Sequence, residues 1–384
     1  MEAFAEQRKK VLRVGVAILL LIVAVVAIVG FQSKREKMSR AWAGQTALDA
    51  LRGDFTGVAT RAQEFIATHA PDNRYYDDAL VLLEVSQFWS DDPQEQANAI
   101  RQAKERYIFE EGNPVAQAAI TNRILEYLQA YDEAVFTETF TGPPFSPLLA
   151  EGDFQTSVKN LAEHSLSLWR TSTALLQVAQ WHATQGIRHY DGFIKLSKSE
   201  IEAHRDAVVE ALEEADALYA EEERMIKGQV FAPLYLQNFF FFRGYLYGVL
   251  SLYDKKYLSE SDYSFQQVTG LYEDSLDAEG VGAAMLETRV PYALLDQALF
   301  WRAADPKGNK ETIKANLDRI AQMVNNRPDI HERFFSSFIS QVQGYQTGLG
   351  MWLTASRIER VSQFSPAFRD FLEENRWEFE KKAK

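Results

Sequence analysis

The sequence predicts an all-α protein: one N-terminal transmembrane helix followed by stacked antiparallel helical hairpins, as an α-solenoid or an irregular helical domain. Three observations predict it. Residues 14–31 read VGVAILLLIVAVVAIVGF without a charged or amide side chain. From Arg40 onward apolar residues recur at spacings of three and four, with no sustained alternation. Helix-start signals recur along the chain, separated by short turns that favour antiparallel neighbours.

The apolar run comes first. Eighteen residues at about 1.5 Å each span roughly 27 Å, close to the hydrocarbon thickness of a bilayer. A helix apolar all round needs burial in protein or lipid. Arg8, Lys9, Lys10 and Arg13 precede it, and Lys34, Arg35, Lys37 and Arg40 follow it. Basic ends that reach the headgroup zone on both sides fit a membrane span. The rival reading is a cleaved secretory signal. The basic start fits one, but the apolar run exceeds the roughly 7–15 residues of a signal core. Val25-Val26-Ala27, the candidate cleavage site, lies inside the run. The flanking charges nearly tie, so they do not set orientation. The expected arrangement is a short N-terminus in the cytoplasm of a bacterial cell and the large domain outside, in the periplasm or beyond it.

Composition narrows the classes of function. The chain has no cysteine, which excludes disulfides, thiol nucleophiles and cysteine zinc sites. Its net charge of −13 hides a division. Residues 1–35 carry six Lys/Arg and two Glu, leaving 35 basic and 52 acidic residues in the remainder. Such an acidic exterior repels phosphate backbones, so no nucleic-acid partner is expected. Membrane lipid is expected to contact residues 14–31, with the basic flanks beside the headgroups.

The expected domain organisation is 1–35 for the basic N-terminus and anchor, 36–140 for helical hairpins, 141–152 for a proline-rich connector and 153–384 for a larger all-α region. Within these, helices are predicted over 36–52, 56–69, 74–89, 93–109, 114–136, 154–190, 198–227, 233–254, 260–273, 281–303, 311–325, 329–361 and 367–382. Several starts have a capping logic. Asp92 precedes Pro93, Asn113 precedes Pro114, and Ser365 precedes Pro366. Capping boxes are read at Ser197/Glu200, Ser259/Asp262 and Asp329/Glu332. Pro143, Pro144 and Pro147 break the pattern and mark a boundary or an ordered crossover.

Two paired-helix signals lie near the start. Trp42 opens a helix, Gly53-Asp54-Phe55 turns, and a second helix runs to Ala70-Pro71-Asp72-Asn73. Tyr76 follows Trp42 by 34 residues, and Trp89 follows Phe55 by the same interval. Residues 40–110 therefore resemble tetratricopeptide (TPR) repeats, units of about 34 residues. Val58 departs from the pattern, standing where alanine is usual. With the anchor, the whole resembles bacterial single-pass membrane-anchored TPR-like proteins, in architecture and not residue by residue. That resemblance implies a scaffold or chaperone-like binder with no catalytic residues to carry over.

The candidate partner-binding residues fall in two stretches. Residues 231–253, FAPLYLQNFFFFRGYLYGVLSLY, are unusually aromatic. Gln237, Asn238 and Arg243 argue against a second span, since a central arginine costs about 2.5–3.5 kcal/mol on insertion scales. A buried central helix is expected, with Gly244 and Gly248 admitting a neighbouring backbone. The functional alternative is an aromatic groove using Phe239, Phe240 and Tyr247. An acidic block at 210–223 adds Glu213 and Glu214 as a docking surface for a basic partner, against the plain reading of a solvated helix face. Gly344, Gly348 and Gly350 suggest a close helix crossing or a kink.

His182 and His189 share a face, and Glu200 and His204 are four apart, but no zinc-ligand spacing appears. No metal or cofactor is expected. No GxGxxG, Walker, GxSxG, HExxH or DxDxDG signature is present, so no catalytic residue is named. The functional expectation is a membrane-anchored helical scaffold or protein-interaction module of the bacterial envelope, not an enzyme. The alternatives are an all-α envelope enzyme, such as a carboxylate-dependent glycan-cleaving enzyme, or a structural subunit of a large membrane machine.

Overall fold

The computed structural model describes residues 54–69, 76–88, 93–128, 142–150, 154–226, 232–276, 289–305, 307–328 and 352–375, with single positions among 38–49 and 286, 287, 331, 335 and 377. The apolar run 14–31, the glycines 344, 348 and 350 and the Asp329/Glu332 capping box lie outside the described residues. The fold is all-α; among the described residues there is no strand. No described helix is long and apolar enough to cross a membrane, the aromatic 232–251 helix included.

Residues described between 38 and 49 are helical and pack on α1 (Phe55–Thr68). Trp42 fixes this pairing. Its ring stacks on Phe65 at 4.1 Å and its indole N–H donates to the Arg61 carbonyl at 3.0 Å. Arg61 pairs with the largely buried Asp49 at 2.6 Å. Asp54 caps α1 by accepting from the Gly57 amide at 2.8 Å. The helices α2 (Tyr76–Phe88), α3 (Pro93–Phe109) and α4 (Pro114–Leu128) then pack each on the one before. Val58, Ala62 and Leu82 form one small buried cluster between α1 and α2, and Phe65 with Ala79 another.

The proline-rich stretch is an ordered crossover. Phe145 is fully buried, tilted against Tyr107 at 4.9 Å. It belongs to a core that draws Ala99, Ala103, Ile120 and Leu125 from one side and Val158, Leu161 and Ala162 from the other. The Asn160 amide donates to the Leu148 carbonyl at 3.0 Å, tying the crossover to α5 (Phe154–Leu168).

The predicted single helix 154–190 is in fact two. It stops at Leu168 and restarts as α6 (Ser172–Tyr190), because Thr171 leaves helical geometry and caps the Ala174 amide at 3.2 Å. The buried Glu222 carboxylate adds to this start, accepting from the Ser172 amide at 2.9 Å and from the Ser172 hydroxyl. Free N–H groups at a helix start attract such a carboxylate. After a turn through Gly192, whose φ is +81°, α7 (Lys198–Ile226) opens on the Ser197/Glu200 capping box.

Helix α8 (Ala232–Ser251) is the hub: it packs on α6, α7, α9 (Leu258–Leu276) and α10 (Arg289–Ala304). Rings lie nearest its two glycines, and at Gly244 α9 also comes close, Ser261 donating to the Gly244 carbonyl at 2.8 Å. A Cβ on Gly244 would lie 3.0 Å from the Phe265 ring, and one on Gly248 2.3 Å from the Phe300 ring. Ser259/Asp262 does not cap α9, which already starts at Leu258. Ser259 donates to the Lys256 carbonyl at 3.1 Å, and Asp262 accepts from Gln297 at 3.1 Å. The core continues through α11 (Lys310–Asn326), α12 (Ala355–Ser362) and α13 (Pro366–Glu374). The predicted 329–361 helix does not hold through its end: residues 352–354 are non-helical, and α12 starts anew after Thr354. Ser365 caps α13 as expected, accepting from the Phe368 amide at 3.0 Å.

Candidate functional site

The aromatic stretch and the acidic block come from different helices, and the fold brings part of each to one surface. Helices α7, α8 and α9 meet along a ledge built around Arg243. Only 8% of Arg243 is exposed. Its guanidinium forms a two-point pair with Asp216, at 2.8 and 3.0 Å, and reaches Glu260 at 3.2 Å and the Ser264 hydroxyl at 2.6 Å. Its planar face lies over Tyr247 at 4.7 Å and faces Tyr263 at 6.0 Å. Burial works against the Arg243 charge, but Asp216 and then Glu260 more than offset it and hold the guanidinium protonated. Forked hydrogen bonds to a carboxylate with stacking on aromatic faces are the geometry that guanidinium favours.

Aromatic rings continue the ledge on both sides. Tyr219 stacks on Phe239 at 4.1 Å and meets Phe240 edge-on at 5.4 Å; Phe240 in turn meets Tyr263 edge-on at 6.4 Å. Tyr247 stacks on Tyr257 at 6.1 Å. Tyr263 is 50% exposed, while Tyr219, Phe240, Tyr247 and Tyr257 are half-buried. Carboxylates rim these rings. Burial raises the Tyr219 hydroxyl pKa, and the Glu223 charge raises it further. Burial also raises that of Tyr247, with Asp216, Glu260 and Glu213 adding to it and Arg243 opposing them. Glu213 and Glu223 are exposed and have no ion-pair partner among the described residues.

Of the five candidates, Phe240, Tyr247 and Glu213 lie on this ledge. Phe239 does not: it is 3% exposed and belongs to the core beneath Tyr219, because its helix position points inward between α7 and α8. Glu214 turns away as well. It sits one residue around α7 and makes a forked ion pair with Arg170 from the turn before α6. Sequence reading missed Tyr219, Tyr257, Tyr263 and Glu260 as members. Tyr219, Tyr263 and Glu260 lie on helices that look ordinarily amphipathic alone, Tyr257 ends the short turn before α9, and only tertiary packing brings them to this ledge.

Two further polar clusters lie away from the ledge, one half-buried and one buried. His182 on α6 and His204 on α7 meet with their Nδ1 atoms 2.9 Å apart, beside Trp181. Burial, then the His204 and Lys159 charges, pull the His182 pKa down to about 4. His189 is elsewhere, accepting from the Leu196 amide at 3.1 Å. Among the described residues no group of three or more potential ligands gathers for a metal.

Asp296 on α10 is 1% exposed, and neither carboxyl oxygen has a hydrogen-bond partner among the described residues. Burial raises its pKa well above the ordinary carboxyl value. The neighbouring Tyr245 hydroxyl accepts from the Trp352 amide at 3.3 Å, and Trp352 lies parallel to Phe300 and under Arg357. Asp296 is thus a buried acid near the Tyr245 hydroxyl. No protein family matches the chain, and no curated protein or solved structure does.

Proposed function

We propose that the chain is a membrane-anchored helical interaction module of a bacterial envelope. In this reading residues 14–31 form one span in the cytoplasmic membrane, and residues 32–384 face the periplasm or exterior. The first helices stack as TPR-like hairpins, and a helix face of the larger region captures a protein partner. The observation that carries the reading is the α7–α8–α9 ledge. There an exposed Tyr263 and half-buried Phe240, Tyr219 and Tyr247 share a rim with the exposed Glu213 and Glu223. Aromatic rings presenting a large rigid area with polar tips are favoured residues of protein interfaces. The anchor is supported by the length and basic flanks of the apolar run.

The test has two parts. The native chain is expected to stay with the membrane pellet after alkaline carbonate washing and to leave it in detergent. Affinity capture from detergent-solubilised membranes is expected to retain a partner that Tyr263→Ala or Phe240→Ala releases. A chain that floats free after gentle lysis overturns the anchor. A partner unaffected by either substitution overturns the ledge.

A further inference from the structure

We infer that the occupant of the α7–α8–α9 ledge is a cationic segment, rich in lysine and arginine, of a partner protein. The inference rests on the interaction-module reading and adds the chemistry of the partner. The ledge already holds one guanidinium of its own. Arg243 sits between Tyr247 and Tyr263 with Asp216 and Glu260 at its edges. That arrangement shows which charge these rings and carboxylates accommodate. At one end Lys256 covers Tyr257, 4.8 Å from its ring; the outer part, around Tyr263, repeats the same elements with no cation over its rings among the described residues other than Arg243. Tyr263 is 50% exposed, Phe240 and Tyr219 are half-buried, and Glu213 and Glu223 stand at the rim with no ion-pair partner among the described residues.

Asp216 and Glu260 flank the Arg243 guanidinium, and Glu213 and Glu223 stand beyond it, beside Tyr247 and Tyr219. A Lys or Arg side chain laid across the exposed tyrosine would gain a cation–π contact and a carboxylate at once. An acidic segment laid along the outer rings would meet repulsion from Glu213 and Glu223. A purely apolar helix would leave Glu213 and Glu223 beside desolvated surface.

The experiment uses the full chain in nanodiscs of neutral lipid and a fluorescent octapeptide of alternating glycine with lysine or arginine. Its control replaces lysine with acetyl-lysine and arginine with citrulline. The charged peptide is expected to bind and the control not. Binding is expected to weaken about tenfold in the Glu213→Gln/Glu223→Gln chain and comparably in Tyr263→Ala, with a steep salt dependence in the parent. A second pair, Asp370→Asn/Glu374→Gln on the exposed face of α13, removes equal charge elsewhere and is expected to leave affinity unchanged.

Equal weakening by both pairs would mean diffuse attraction to an acidic protein and overturns the inference. So does equal binding of the neutral control. Binding that emerges only after Lys34, Arg35, Lys37 and Arg40 are changed to glutamine would make the chain's own basic segment the occupant, and overturns it too. Capture of a partner whose cross-linked segment lacks Lys and Arg sinks this inference and leaves the interaction-module reading standing. Capture of no partner by the full chain sinks that reading itself.

Discussion

Gly248 tests the packing of the hub helix most sharply. Glycine inside a helix costs about 0.8–1 kcal/mol relative to alanine, so propensity alone favours Gly248→Ala. The structure reverses the sign. The new Cβ would stand 2.3 Å from two carbons of the Phe300 ring and 2.7 Å from a third. Carbon atoms in good contact lie about 3.5–4.0 Å apart, so the ring must retreat by more than an ångström. It has nowhere to go: Phe300 is fully buried, lies parallel to Trp352 at 5.3 Å and meets Tyr245 at 6.0 Å. Overpacking of this kind costs about 1–3 kcal/mol, and the severity here points to the upper part of that range. The net expectation is a loss of about 1–2 kcal/mol after the propensity gain.

Gly270 on α9 supplies the control, because a Cβ there meets nothing within 4 Å. Gly270→Ala is expected to gain about 0.5–1 kcal/mol. Thermal and urea unfolding of the two variants beside the parent measures both. Shrinking the obstructing ring should also relieve the clash, so Gly248→Ala should cost less in a Phe300→Leu background. A Gly248→Ala chain as stable as Gly270→Ala, or no coupling to Phe300, would refute the ring-in-groove account of α8.

Three other outcomes follow from buried or half-buried polar groups. Asp296 keeps its proton when folded and releases it when unfolded, so the folded state binds more protons above the ordinary carboxyl pKa. Stability should then fall as pH rises above about 4, by up to about 1.4 kcal/mol per pH unit until the folded group ionises. Asp296→Asn should remove that slope and melt above the parent at pH 7; an unchanged pH profile would count against the buried neutral acid. His182 has the opposite linkage: its folded pKa is about 4 against 6.5, so stability is lost as pH falls between those values. His182→Gln should flatten the acid limb of a melting-point series, and a limb that stays put would assign it to other groups. Glu222→Gln weakens the carboxylate at the start of α6, where Ser172 and Tyr235 both donate to it. Such charged, buried hydrogen bonds make a loss of about 1–3 kcal/mol the expectation, read by denaturant unfolding, and a loss near zero would remove Glu222 from the cap.

The all-α class and many helix bounds were legible because periodicity and capping are local. Asn113–Pro114, Ser197/Glu200 and Ser365–Pro366 all start helices where their side chains suggest. The misplaced breaks have local causes that look weak in sequence. Thr171 interrupts 154–190 without glycine or proline nearby, and its cap is completed by Glu222, fifty residues on. Ser259/Asp262 has capping spacing, yet Asp262 is drawn to Gln297 on α10 instead. At the ledge, the richness of α8 in aromatics was visible, but its inward and outward faces were not. Phe239 and Phe240 are adjacent letters; one is core and the other reaches the rim. Likewise Glu213 faces solvent while Glu214 bends to Arg170. Tyr263 and Glu260 join only through the α8–α9 hairpin, whose register no single helix encodes.

Site-specific photo-cross-linking from position 263, in the full chain in intact membranes, tests the central claim most directly. The expected result is an adduct with a partner protein, joined through a lysine- or arginine-rich peptide and lost in the Glu213→Gln/Glu223→Gln background. A silent position 263, alongside strong adducts from the exposed face of α13 around Asp370, would contradict it.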